Sequence, residues 1–196
     1  GTVEMTGGTI TKCQGENFGG GVYITSGIFT MSGGTIDNCF ATYQTKDTRG
    51  GGGVTVSGAG TFNMSGNATI QNCRARMGGG VYVSRGTFNM SGGTIQNNTA
   101  EGTQINGLWG GGGVFVTGTG SFTLTGGTIS NNNVSGTSAT GGAISINGTP
   151  TFKCEVDKIG TGIIIENNKH ISAQDQINMI TGVKLAITEN GSAKTL

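Results

Sequence analysis

Apolar residues recur along this chain in short alternating runs, and the same runs return. TVEMTGGTI at 2–10 comes back as IFTMSGGTI at 28–36, TFNMSGGTI at 87–95 and SFTLTGGTI at 121–129. A copy at 61–70 carries one extra residue at its turn, Gly66-Asn67-Ala68, and a weaker sixth copy starts at Thr151-Phe152. A second phrase follows each complete copy, as GVYI at 21–24, GVTV at 53–56, GVYV at 80–83, GVFV at 113–116 and the looser AISI at 143–146. Alternation over so few residues is the mark of a half-buried strand, and a fixed period marks a repeat architecture. Repeats starting at Gly1, Gly27, Gly60, Gly86, Gly120 and Pro150 are 26, 33, 26, 34 and 30 residues long. All of that variation falls between the TIxN phrase and the glycine run. The pattern predicts three short strands per repeat, joined by two tight Gly turns and one variable loop, which is one rung of a parallel β-helix.

Parity assigns the faces of each strand. One predicted inward column is Val22, Val54, Val81, Val114 and Ile144, paired with Ile24, Val56, Val83, Val116 and Ile146. A second is Val3, Phe29, Phe62, Phe88, Phe122 and Phe152, paired with Met5, Met31, Met64, Met90, Leu124 and Cys154. The third is Ile10, Ile36, Ile70, Ile95 and Ile129. Like stacks on like, with successive rungs about 4.8 Å apart. We expect an all-β, single-stranded, right-handed parallel β-helix of about six rungs, its hand following the usual crossover preference. The repeats occupy residues 1–152. Residues 153–196 hold 10 of the 21 charges and are expected to form irregular final rungs and a cap of the same domain, with Ile163, Ile165, Ile171, Ile177, Val183, Leu185 and Ile187 covering the last edge.

Composition agrees. The 41 glycines among 196 residues exclude most helical folds, because glycine costs about 1 kcal/mol per helix position against alanine. Hydrophobic content of 33% with a single proline separates the chain from a flexible Gly/Ser linker. A net charge of +1 removes the electrostatic footprint of a nucleic-acid binder, and no apolar run reaches membrane-spanning length. Gly1 opens directly into a strand, so an export signal is expected outside this chain, which reads as a fragment or mature product.

The phrases GTFNMSGGTIQNN and GGGVYV resemble the tandem repeats of large surface-exposed, adhesin-like proteins of gut and oral bacteria. More distantly they are similar to polymorphic outer membrane autotransporters, whose GGA-plus-aliphatic signature has a counterpart at Gly141-Gly142-Ala143-Ile144. The resemblance covers about residues 1–150. It implies an exported, cell-surface or secreted module, usually part of something longer, and carries no catalytic residues with it.

Cys13, Cys39 and Cys73 share one repeat position, which Asn98 and Asn132 take in the next two rungs. The preceding residue is Asn38, Asn72, Asn97 or Asn131, and asparagine tolerates the left-handed conformation that would bend the chain and turn the next side chain inward. We read a stacked column of small buried thiols handing over to an asparagine ladder, with Cys154 in the methionine column. No CxxC pair occurs and His170 lacks partners at ligand spacing, so no metal or cofactor is expected. Catalysis is not expected either. Glycoside hydrolysis needs paired carboxylates, whereas Glu4, Glu16, Asp37, Asp47 and Glu101 are dispersed along the repeats.

The outward positions of the GVYV strand, Tyr23, Thr55, Tyr82, Phe115 and Ser145, form a column with three aromatics, a candidate platform for sugar rings or a protein partner. Long loops at 40–49 and 99–109 flank a lower saddle over the third repeat, lined by Arg74, Arg76, Tyr82 and Met77, with Tyr43 and Trp109 on its walls and Arg85 at the strand's far end. The expected ligand-binding set is therefore Tyr23, Arg74, Arg76, Tyr82, Arg85, Trp109 and Phe115. The arginines point to an acidic glycan, since their forks match carboxylate and sulfate; a host or partner protein is the other candidate ligand. The competing functions are a stalk that displays another domain, then ice binding on the ladder Thr9, Thr35, Thr69, Thr94 and Thr128, then a polysaccharide lyase or hydrolase.

Overall fold

The computed structural model describes residues 1–42, 50–101, 109–135 and 139–148, with only the backbone of 109, 139, 140 and 148, and the backbone of the strands 151–154, 163–166, 177–178, 186–189 and 192–195. Three stacks of parallel strands wind along one axis. The first, the long sheet, contains Thr2–Thr11, Ile28–Asp37, Thr61–Met64 with Thr69–Gln71, Thr87–Gln96, Ser121–Ser130 and Thr151–Cys154 with Ile163–Glu166. The GVYV sheet contains Val22–Ile24, Val54–Val56, Val81–Val83, Val114–Gly118, Ile144–Gly148 and Ile177–Asn178. The protein is a parallel β-helix, as the repeat requires. Five rungs contribute to all three stacks among the described residues; of a sixth, strands of the long and GVYV sheets are described.

Register follows the repeat residue by residue. Phe29 pairs with Phe62, Phe62 with Phe88, and Phe88 with Phe122, so their rings lie nearly parallel at centroid spacings of 5.5, 4.9 and 4.7 Å. Met31, Met64, Met90 and Leu124 stack beside them, and Ile36, Ile70, Ile95 and Ile129 beyond; with the valine columns of the GVYV sheet they form one continuous buried core. Ile165, expected in the irregular segment that covers the last edge, pairs in register with Ile129, and Ile177 with Ile144. The segment also contains an antiparallel pair, Ala186–Glu189 with Ser192–Thr195. Ile171, Val183 and Leu185 lie outside the described residues.

The predicted division of the rung needs two changes. First, the Gly-Gly turn does not end the strand: in four repeats the two halves of the first phrase run through it as one ten-residue strand whose register shifts at the glycines. The second glycine bends the backbone at positive φ, and a Cβ at Gly34 would stand 2.7 Å from Met5 Cε of the rung below. Only glycine leaves that methionine its place. The inserted residue at 66–68 alone splits the strand in two. Second, a two-residue ladder escaped prediction. Gln14–Gly15, Phe40–Ala41, Arg74–Ala75, Thr99–Ala100 and Asn133–Val134 form a short sheet of their own.

The short sheet starts at a bend. Asn38, Asn72, Asn97 and Asn131 have φ between 51° and 56°, and Lys12 takes the same conformation in the first rung. This is the left-handed region that asparagine tolerates, and it turns the next residue inward as expected. The glycine run that returns the chain to the GVYV sheet packs against this short sheet in the following rung. A Cβ on Gly52 would lie 2.5 Å from the Arg74 backbone, and one on Gly79 2.5 Å from that of Thr99. Backbone on backbone is the only packing available there, which is why the run is glycine.

Candidate binding surface on the loop side

The outward column of the GVYV strand is the first surface to test, and most of it is covered. Tyr23 is 46% exposed, but Tyr82 and Phe115 are 2% and 1% exposed, and Thr55 and Ser145 are buried too. In the first three rungs the contacts come from the chain that leads into the glycine run. Phe18, five residues before Tyr23, stacks on it at 5.1 Å with the rings 8° apart. Met77, five residues before Tyr82, joins Tyr82 and Phe115 in a small second core, in which the two rings stack at 5.8 Å. Thr55 holds the run by hydrogen bonds instead: its Oγ1 accepts from the Gly19 N–H at 2.9 Å and the Gly51 N–H at 2.7 Å. Satellite clusters of this kind form under loops that fold back on a main core.

The expectation that Tyr82, Phe115 and Met77 face a ligand is therefore corrected: they fasten the loop side to the sheet. Arg76 is also buried, at 7% exposure. Ala75 pairs with Ala100, so Arg76 and Glu101 occupy neighbouring positions in adjacent rungs, opposite charges side by side. Arg85 is exposed, but the turn that bears it is at the far end of Val81–Val83 from the glycine run, away from Arg74. The backbone of Trp109 pairs with Ala139 in a two-residue ladder; its side chain, with Tyr43, Asp47 and Arg49, lies outside the described residues.

Arg74 remains. It is exposed on the short sheet, and its guanidinium carbon sits 5.0 Å from the centroid of the Phe40 ring in the neighbouring rung. Register continues this outward column as Gln14, Phe40, Arg74, Thr99 and Asn133. Arg74 is on rung three, between rungs two and four, whose longer connections, 43–49 and 102–108, lie outside the described residues. Phe18 borders the same region, because the second-rung connection returns at Gly50, where a Cβ would lie 2.8 Å from the Phe18 Cα. Sequence reasoning missed Phe40 by assigning it to the loop. The small residues at Gly15, Ala41, Ala75 and Ala100, each two after the inward Cys or Asn, were the available sign of another strand.

Elsewhere on the outer face the polar side chains are tied to one another. Asp37 accepts from Gln71 Nε2 at 3.1 Å, from Asn72 Nδ2 at 2.8 Å and from Thr11 Oγ1 at 3.5 Å, while Gln96 Nε2 donates to Gln71 Oε1 at 3.0 Å. The threonine ladder is in register from Thr9 through Thr128.

The buried polar column is equally ordered. Asn98 Nδ2 donates to the Ile70 carbonyl and Asn132 Nδ2 to that of Ile95, both at 3.0 Å; Asn98 Oδ1 accepts from the Cys73 N–H at 2.9 Å and Asn132 Oδ1 from the Asn98 N–H at 3.0 Å. The thiols reproduce this scheme more weakly. Cys39 Sγ reaches the Ile10 carbonyl at 3.7 Å and Cys73 Sγ that of Ile36 at 3.8 Å, and the N–H groups of Cys13 and Cys39 are directed at the sulfurs of Cys39 and Cys73. Cys39 is lowered to about 6, chiefly because the Cys73 thiol donates to its sulfur. That same contact, and burial, push Cys73 up; burial and then Cys39 push Cys13 up. All three are free thiols.

A solenoid of stacked three-strand rungs with a closed apolar interior defines the class. The family model of the right handed beta helix region matches residues 2–149, and the chain belongs to that family. No curated protein and no solved structure matches it.

Proposed function

We propose that the chain is a non-enzymatic module of a bacterial cell-surface protein, and that it binds an acidic glycan at the surface made by Phe40 and Arg74 on the loop side. The observation that carries this reading is the exposed Arg74 guanidinium lying over the Phe40 ring. An arginine stacked on an aromatic is held with its fork free to meet a carboxylate or sulfate, and the ring beside it offers an apolar patch to a sugar face. The half-exposed Phe18–Tyr23 stack supplies a second aromatic ledge toward the first rung. Export to the cell surface rests on the resemblance of the repeats.

A glycan-array screen of the parent beside Arg74→Ala and Phe40→Ala tests it. Binding of uronic, sialylated or sulfated glycans by the parent, lost in both variants, supports the reading. Binding that survives both changes sinks the proposed location, and an inert but folded parent sinks the function. A second reading, a stalk that displays another domain, is favoured by the near-identity of the stacked pairs from rung to rung, since uniform rungs give a rod whose stability adds along its length.

A further inference from the structure

The thiol column is chemically different from the asparagine column that continues it. Backbone geometry is the same in both: the N–H of each rung points at the side chain of the next, at Asn Oδ1 in the later rungs and at sulfur in the earlier ones. Asparagine holds the carbonyl of the rung before at 3.0 Å, whereas the Cys39 and Cys73 sulfurs stand 3.7 and 3.8 Å from the equivalent carbonyls and closer, at 3.4 and 3.1 Å, to the Asp37 and Gln71 carbonyls of their own rungs. What the sulfurs add is an affinity for soft cations, with amide donors already aimed at them, the arrangement that stabilises metal-bound thiolates.

We propose that Cys13 and Cys39 bind a two-coordinate soft cation of the Cu(I) class between the first two rungs. Thiols on neighbouring rungs are set about 4.8 Å apart by the strand spacing, close to the span of about 4.6 Å that two collinear metal–thiolate bonds of roughly 2.3 Å would bridge. A tetrahedral ion has no site here, because among the described residues no group of three or more His, Cys, Asp or Glu side chains converges. Soft thiolates select Cu(I) over hard ions. Cys13 is partly exposed and Cys39 buried, and the Cys73 thiol behind the pair is directed at the Gln71 carbonyl at 3.1 Å. On binding, two metal–sulfur bonds form and two thiol protons pass to solvent. Neither metal nor sulfur changes oxidation state.

The test is an anaerobic titration of the reduced protein with Cu(I), added as its acetonitrile complex against a competing chelator. It is read by native mass spectrometry, by thiolate-to-copper absorption and by melting temperature. The variants are Cys39→Asn, which installs the residue the fold itself uses at this position in rungs four and five, Cys13→Ser at the accessible end, and Cys154→Ser. The parent should take up one tightly held ion and melt higher with it. Cys39→Asn and Cys13→Ser should each lose more affinity than the roughly 10–100-fold that a missing outer-shell partner costs, and Cys154→Ser should bind as the parent does. A folded parent that takes no Cu(I), or Cys39→Asn binding as tightly as the parent, or uptake lost only in Cys154→Ser, would overturn the proposal. Because Cys13 lies at the first rung, Cys13→Ser keeps the test decisive if the Asn variant does not fold.

Discussion

The phenylalanine stack of the long sheet is buried, and so is the mixed column on the outer side of the GVYV sheet from Thr55 to Ser145, by different means. Phe62, Phe88 and Phe122 are enclosed by the sheets themselves, and rungs two to five supply the same ring in the same place. The outer column varies from rung to rung, as Tyr23, Thr55, Tyr82, Phe115 and Ser145, and its described contacts vary with it: the Phe18 ring lies on Tyr23, two backbone amides meet Thr55, and Met77 packs with Tyr82 and Phe115. Uniformity therefore marks the inside of a solenoid. Variation does not mark its outside, because a loop can adapt its cover to each rung where a stacked sheet cannot.

The sharpest break of this comparison is Phe88→Ala, which opens a cavity at the centre of the uniform stack. It should cost about 3–5 kcal/mol, together with the ring pairing on both sides at roughly 0.5–1.5 kcal/mol each, measured by urea unfolding. A loss below about 1 kcal/mol would mean that neighbouring rungs collapse freely onto the gap. Asn98→Ala comes next. It strands the Cys73 amide and the Ile70 carbonyl in the core, and should cost about 2–3 kcal/mol on the same scale as other unsatisfied buried groups.

Thr55→Val separates packing from hydrogen bonding in the outer column. Shape is kept while the acceptor for Gly19 and Gly51 goes, so a loss of about 1–2 kcal/mol is expected, with amide hydrogen exchange accelerated at those two glycines and unchanged in the long sheet. Exchange that rises equally everywhere would show that the overlay is not a separate unit. The smallest effect on stability belongs to Arg74→Ala, within about 0.5 kcal/mol as for other exposed positions. If this variant melts far below the parent, Arg74 is a structural part of the short sheet and the binding surface must be sought elsewhere.

The inward columns of the long and GVYV sheets were legible in the sequence, because a solenoid repeats its local environment and the repeat writes that environment out several times. The positive φ of Asn38, Asn72, Asn97 and Asn131 was legible for the same reason, being a property of one residue and its neighbours. The proposed binding surface was not. Parity places Tyr82 and Phe115 on the side of the strand away from the core, and that is where they are; whether that side meets water depends on Met77 and the glycine run folding back over it, a contact between segments that alternation does not encode. The short sheet was hidden because two residues are too few to show a period. Phe40 and Arg74 meet only through stacking of one rung on the next. Sequence alone determined the winding of the chain and the composition of its interior, since both follow from local periodicity. Tertiary structure decided which outward residues remain outside, since that turns on how the irregular connections close over the regular rungs.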